Sequence, residues 1–243
     1  DAFTFRVTKE EALDLPDKIY VTREVPLTKD QVQYYKTMRD TAIALIDGGE
    51  LVSAPAIMTQ LLRLQQILCG NVVLDNGERV EFPTNRLDAM MQTIEEMTGK
   101  VIIWSRFRYD IRKIYSTLVE EYGPQSVVTY YGDTSDDDRQ DAIRKFQYED
   151  ARFFVGNPQT AGMGLTLHAA TNVIYYANDF NLESRIQSED RCHRIGQDNH
   201  VTYVDLITPG TVDEHIVRNL QQKIKLSAQA LGEETRKWLE VSP

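Results

Sequence analysis

The segment QSEDRCHRIGQ, Gln187 to Gln197, gathers two arginines, a histidine and two glutamines ten residues downstream of the apolar run NVIYY, in a chain of net charge −10. Arginine is permanently charged, and its planar fork matches the oxygens of a phosphate two at a time. Read as a helix, the segment places Gln187, Arg191 and Arg194 at i, i+4 and i+7, on one face. Such a row suits the binding of a polyphosphate and the stabilisation of charge on a transferring phosphoryl group. The same spacing fits solvated arginines on an exposed helix. A metal site at Cys192-His193 has little support, because adjacent residues point apart on a helix and no second ligand pair is spaced to help. An Asp190–Arg194 surface pair would contribute only about 0.3–0.5 kcal/mol.

The elements that must position these residues fall into two patterns. Up to about residue 95 the chain reads as helical. KDQVQYYKTMRDTAIALI places Val32, Tyr35, Met38, Ala42 and Leu45 on one face, with a hydroxyl cap at Thr28. APAIMTQLLRLQQILCG repeats the pattern through Ile57, Leu61, Leu64 and Leu68 and ends at Gly70. VVLDNGERVEF predicts a hairpin near 72–82 around Asn76-Gly77. TNRLDAMMQTIEEMTG is a further amphipathic helix, closed by Gly99. Beyond Gly99, short apolar runs alternate with helical stretches: VIIW, SVVTYY, RFFVG, NVIYY and VTYVDLI. That alternation predicts an α/β domain with a parallel sheet covered by helices on both faces. Ser135, followed by Asp136, Asp137 and Asp138, marks a helix start. The expected organisation is a helical region at 1–98 and an α/β domain at 99–243.

In such a sheet, ligands bind beyond the carboxyl ends of the strands. Two further segments lie there, SRFR after VIIW and GNPQTAGMGLTL after RFFV. Gly162 and Gly164 would let backbone N–H groups approach a phosphate, although two glycines alone are weak evidence and a plain turn is the better account of them.

The chain has 243 residues, 42% hydrophobic and 26% charged, with two cysteines. These values fit an ordinary globular protein in a reducing compartment. No apolar run approaches the ~18 residues of a membrane span, and DAFTFRVTKE has no signal-peptide core. The missing initiator Met predicts a processed or excised piece. The acidic net charge does not exclude nucleic acid, because a local basic face decides binding.

The order of these segments resembles the second RecA-like domain of the SNF2 family, within the superfamily 2 helicase-like ATPases. VIIWSRF is similar to the family's motif IV, and YYGDTSDDDRQDAIRKF to the block after it. TAGMGLTLHAATNVIYYANDFN is similar to motif V and its continuation. QSEDRCHRIGQ is nearly motif VI word for word, and TVDEHIVRNLQQKIKLSAQAL resembles the brace-like helix that follows. The short hairpin segment resembles compact bacterial or phage-type members. At Thr160-Ala161-Gly162 and Thr166 the chain departs from the family's usual Ala-Gly-Gly and Asn.

The resemblance implies a RecA-like fold that supplies arginine fingers, Arg191 and Arg194, to ATP on the N-terminal RecA-like lobe of the same polypeptide. Gln187, Gly162 and Gly164 would serve the nucleotide. Ser105, Arg106, Gly132 and Thr160 would face duplex DNA and touch phosphates without reading sequence. No G-x-x-x-x-G-K-[ST] loop occurs in the chain, so ATP and Mg2+ would be held mainly by the N-terminal lobe, and this chain alone would be inactive. The location implied is intracellular: cytoplasmic in a bacterial or phage-infected cell, nuclear in a eukaryote. The competing reading is a nonenzymatic α/β module that grips nucleic acid or a protein. An enzyme using Cys192 or His193 has little support, because no base and orienting group stand at a recognisable spacing.

Overall fold

The computed structural model describes residues 15–47, 54–160 and 164–229. In chain order the strands are β1 (Lys18–Glu24), β2 (Asn71–Val73), β3 (Arg79–Glu81), β4 (Lys100–Ser105), β5 (Val127–Tyr130), β6 (Phe153–Gly156), β7 (Ala170–Ala177) and β8 (Val201–Ile207). The helices are α1 (Lys29–Asp47), α2 (Ala54–Leu68), α3 (Arg86–Glu95), α4 (Arg108–Tyr122), α5 (Asp136–Tyr148), α6 (Leu182–Glu189) and α7 (Val212–Gln229). Six strands form one parallel sheet in the order β1-β8-β7-β4-β6-β5, and β2 and β3 form a separate hairpin. The crossovers and parallel pairing define an α/β fold built on a parallel sheet.

The sequence predicts five of these six strands; the sixth, β1, corrects the expectation of an entirely helical beginning. KIYVTRE is rich in β-branched and aromatic residues, but its apolar run is only Ile19-Tyr20-Val21 and lies largely exposed at the sheet edge. The chain divides into two compact units that interleave along the sequence, whereas the pattern changes once, near Gly99. One unit comprises residues 1–21, 94–175 and 186–204, and the other 22–93, 176–185 and 205–243.

The core of the first unit is built on the interior of the sheet. Val101, Ile102, Ile103 and Trp104 of β4 are fully buried beside Phe153, Phe154 and Val155 of β6. A strand apolar on both faces is what a covered parallel sheet requires. Each such side chain contributes about 1.5–3 kcal/mol on burial. Ser135 caps α5 as expected, its Oγ accepting from the Asp138 N–H at 3.2 Å.

In the second unit Tyr35, Leu64, Ile67, Leu68, Val72 and Phe82 form the core. Thr28 and Gln31 make a reciprocal cap on α1: the Gln31 N–H donates to Thr28 Oγ1 (3.3 Å) and the Thr28 N–H to Gln31 Oε1 (3.0 Å). Gln31 also donates to the terminal carbonyls of Ile67 and Leu68 on α2. It is therefore buried, while Val32, expected to face inward, is 51% exposed. The predicted hairpin forms, pairing Asn71 with Glu81 and Val73 with Arg79. Its loop runs from Leu74 to Glu78 and only Gly77 has positive φ, so a two-residue type I′ turn at Asn76-Gly77 is not what closes it. At Gly70 (φ +85°) a Cβ would meet the Phe82 carbonyl oxygen at 2.9 Å, so the chain can leave α2 here only without a side chain.

Candidate functional site

The arginine-bearing segment begins on a capped helix. Asn181 Oδ1 accepts from the N–H groups of Glu183 and Ser184 and starts α6. The helix ends at Glu189, however, and the residues after it form turns. Arg191 and Arg194 therefore do not continue one helical face with Gln187. The carbonyls that would extend the helix are taken from the side. The Leu167 N–H donates to the Arg191 carbonyl (2.8 Å). Gln197 Nε2 donates to the carbonyls of His168 (2.9 Å) and Ala170 (2.8 Å) and reaches that of Cys192 (3.4 Å). Gly196, at φ +95°, lets the backbone turn back.

This turn is pinned to the loop before β7. Arg194 Nη1 donates to the Leu165 carbonyl at 3.1 Å, two residues from the Leu167–Arg191 bond. Both arginines are partly buried. The Arg191 guanidinium is held below its ordinary value, first by burial and also by the charge of Arg194, with Asp190 opposing the shift. Two partly buried guanidiniums on one turn are donors of the kind that match phosphate oxygens. Gln187 lies on α6, partly buried. Gly164 follows at φ +77° with open space where a Cβ would stand. Gly162 lies outside the described residues.

Beneath the turn, Cys192 is buried, and burial pushes its thiol up to about 11. Its Sγ lies 3.4 Å from Tyr203 Oη, whose ionisation is also strongly opposed by burial. A neutral buried thiol is packing, not a nucleophile.

The residues expected at DNA follow three adjacent strands. Ser105 ends β4, Arg106 comes next, Gly132 follows β5 and Thr160 follows β6. The Ser105 hydroxyl is buried and donates to Asp110 Oδ2 (3.2 Å), so its side chain faces inward. Asn157, unremarked in the sequence, ties the three strand ends. Its Nδ2 donates to the Arg106 carbonyl (2.8 Å) and its backbone N–H to the Tyr130 carbonyl (3.2 Å). Its place directly after a strand-ending glycine was the available signal. Beside Gly132, exposed Arg108 and Arg112 both pair with Asp133, at 2.8 and 2.7 Å. A Cβ on Gly132 would approach Arg108 Nη2 to 2.8 Å, though a flexible guanidinium can move.

The comparisons with known proteins agree with this architecture. Residues 85–196 match the helicase conserved C-terminal domain. The chain is 27% identical, over 93% of its length, to the CHD3-type chromatin-remodeling factor PICKLE of Arabidopsis thaliana, and spans 17% of that protein. It is similar to the solved C-terminal domain of the Sulfolobus solfataricus SWI2/SNF2 ATPase, at 26% identity and a TM-score of 0.64, covering 88% of this chain and 90% of that one. The core of that ATPase in complex with double-stranded DNA matches at 29% identity and a TM-score of 0.67, over 97% of this chain and 50% of that one. The chain has a RecA-like fold and is similar in sequence and structure to the C-terminal RecA-like domain of SNF2-family ATPases. Plant and archaeal relatives match at similar identity, so identity does not single out a bacterial or phage-type member. No helix among the described residues is long and apolar enough to cross a membrane.

Proposed function

We propose that the chain is the C-terminal motor lobe of a DNA-dependent, ATP-driven translocase. Arg191 and Arg194 reach the phosphates of ATP held, with Mg2+, on an N-terminal RecA-like lobe of the same polypeptide. ATP supplies the phosphoryl group, and this lobe supplies charge where negative charge develops. Gln187 and the Gly162–Gly164 loop flank the same nucleotide. Arg106, Gly132, Thr160 and the backbone at Ser105 meet the phosphates of duplex DNA without reading its sequence. The observation that carries the reading is the turn itself. It brings two arginines together and pins both to the 165–167 segment.

The test is steady-state ATP hydrolysis by the full-length protein with and without duplex DNA. Arg194→Ala should lower turnover ~10³-fold, as loss of an arginine finger does, with DNA affinity nearly unchanged. The chain alone, which has no phosphate-binding loop, should show no turnover. Unchanged turnover in Arg194→Ala with weakened DNA binding would favour the nonenzymatic module.

A further inference from the structure

The residues just before and within β1 converge on the arginine turn. The Pro16 carbonyl lies 2.7 Å from His193 Nε2. A carbonyl can only accept, so Nε2 carries the proton and donates. Lys18 Nζ donates to Glu189 Oε2 at 3.0 Å, and Tyr20 Oη donates to the same oxygen at 2.7 Å. The Tyr20 ring stacks on Tyr203 with centroids 5.4 Å apart, and Lys18 Nζ lies 5.9 Å from the centre of that ring. Tyr203 in turn donates to the Glu189 carbonyl at 3.2 Å, and the Glu189 carbonyl also accepts from the His193 N–H at 3.0 Å.

Glu189 is the last residue of α6, and its side chain is 2% exposed. A carboxylate so buried persists only where cations and donors hold it. Lys18 keeps a quarter of its side chain in solvent, at 26% exposure, yet commits its charge here. Glu189 and His193 bracket Arg191, and Arg194 follows His193 directly. The 165–167 segment fixes the turn from one direction through Arg191 and Arg194, and residues 16–20 grip it through Glu189 and His193.

We propose that Lys18 and Tyr20 are positioning residues that brace the arginine turn through Glu189; this rests on the reading of Arg191 and Arg194 as phosphate-directed. They touch no substrate. Their effect is to hold the end of α6, and with it the guanidiniums, in one place. Misplacing a reacting group by about 1 Å can cost ~10²-fold in rate, so releasing this grip lowers kcat and leaves the KM for ATP nearly unchanged.

Two measurements on Lys18→Met, Tyr20→Phe and Lys18→Arg test the brace. The first is amide hydrogen exchange of the chain. Lys18→Met and Tyr20→Phe should speed exchange across residues 190–197 and leave β4 and β6 unaltered, and Lys18→Arg should restore protection. Tyr20→Phe removes only a hydroxyl from a half-exposed side chain, so it remains informative if Lys18→Met fails to fold. The second is DNA-stimulated turnover of the full-length protein, expected to fall ~10-fold in both weakened variants and to recover in Lys18→Arg. Unchanged exchange at 190–197 overturns the brace. Faster exchange with full turnover, where Arg194→Ala abolishes turnover, also overturns it. Full turnover in Arg194→Ala instead overturns the proposed function, and hydrogen exchange alone then decides whether the brace exists.

Discussion

Arg185 and the Arg191–Arg194 pair belong to the same stretch of sequence, yet they are treated oppositely. Arg185 is 5% exposed and donates to both oxygens of buried Asp205, at 2.5 and 3.2 Å, and to Asn178 Oδ1 at 2.7 Å. Its fork is matched to a carboxylate of the same unit. Arg191 has burial and the charge of Arg194 acting against its ionisation, and Asp190 acting for it. The first arrangement matches a guanidinium to a buried carboxylate, and the second places two partly buried guanidiniums on one turn. Arginine count and spacing did not separate the two; the carboxylate on β8 does.

The contrast is broken or sharpened most strongly by removing an arginine from each set. Arg185→Met leaves Asp205 buried without its counter-charge and should cost about 3–5 kcal/mol of stability. Arg194→Ala gives up one hydrogen bond to a carbonyl and should cost about 1 kcal/mol. Urea unfolding of the chain measures both. Equal losses would mean that the two sets are alike, and that Arg194 is as structural as Arg185.

How much of this was legible depends on which residues carried each feature. The strands VIIW and RFFV were readable because both faces are apolar, and the caps at Thr28 and Ser135 because hydroxyls precede amphipathic runs. β1 was missed because an edge strand has no buried run to reveal it. The helix extended through Arg194 failed because periodicity cannot register that Gln197 and Leu167 take the carbonyls from outside. The Lys18–Glu189 tie spans most of the chain, and no local pattern encodes a contact between residues so far apart.

The floor of the arginine turn offers a second test. Cys192, ordinarily near 9, is pushed up to about 11 by burial. A thiol raised on folding adds stability that is complete below the unfolded value and is lost as pH rises through the folded one. Stability should therefore fall between pH 9 and 11, by on the order of 2 kcal/mol, and less steeply in Cys192→Ala. Tyr203, raised in the same direction, adds to the decline above pH 10. Denaturant midpoints across this range measure it. A flat profile in the parent would mean that water already reaches the floor and that the turn is looser than its hydrogen bonds imply.

The smallest effect is expected where the comparison extends to Arg108 and Arg112, beside the proposed DNA contact at Gly132. Arg108 and Arg112 are 64% and 65% exposed at their side chains, and both are paired to Asp133, itself 33% exposed. They resemble Arg185 in having a carboxylate and the arginine turn in being reachable. Because the pairs are solvated, a DNA phosphate can displace the carboxylate at little cost. Asp133→Asn removes the competitor, so duplex affinity should rise a few-fold at low salt. The slope of log K against log salt should steepen by ~1–2, one unit for each phosphate newly neutralised. Salt-dependent titration of duplex DNA with the full-length protein reads both quantities. If affinity and slope stay as in the parent, these arginines do not meet phosphates, and the carboxylate marks them as structural in the manner of Arg185.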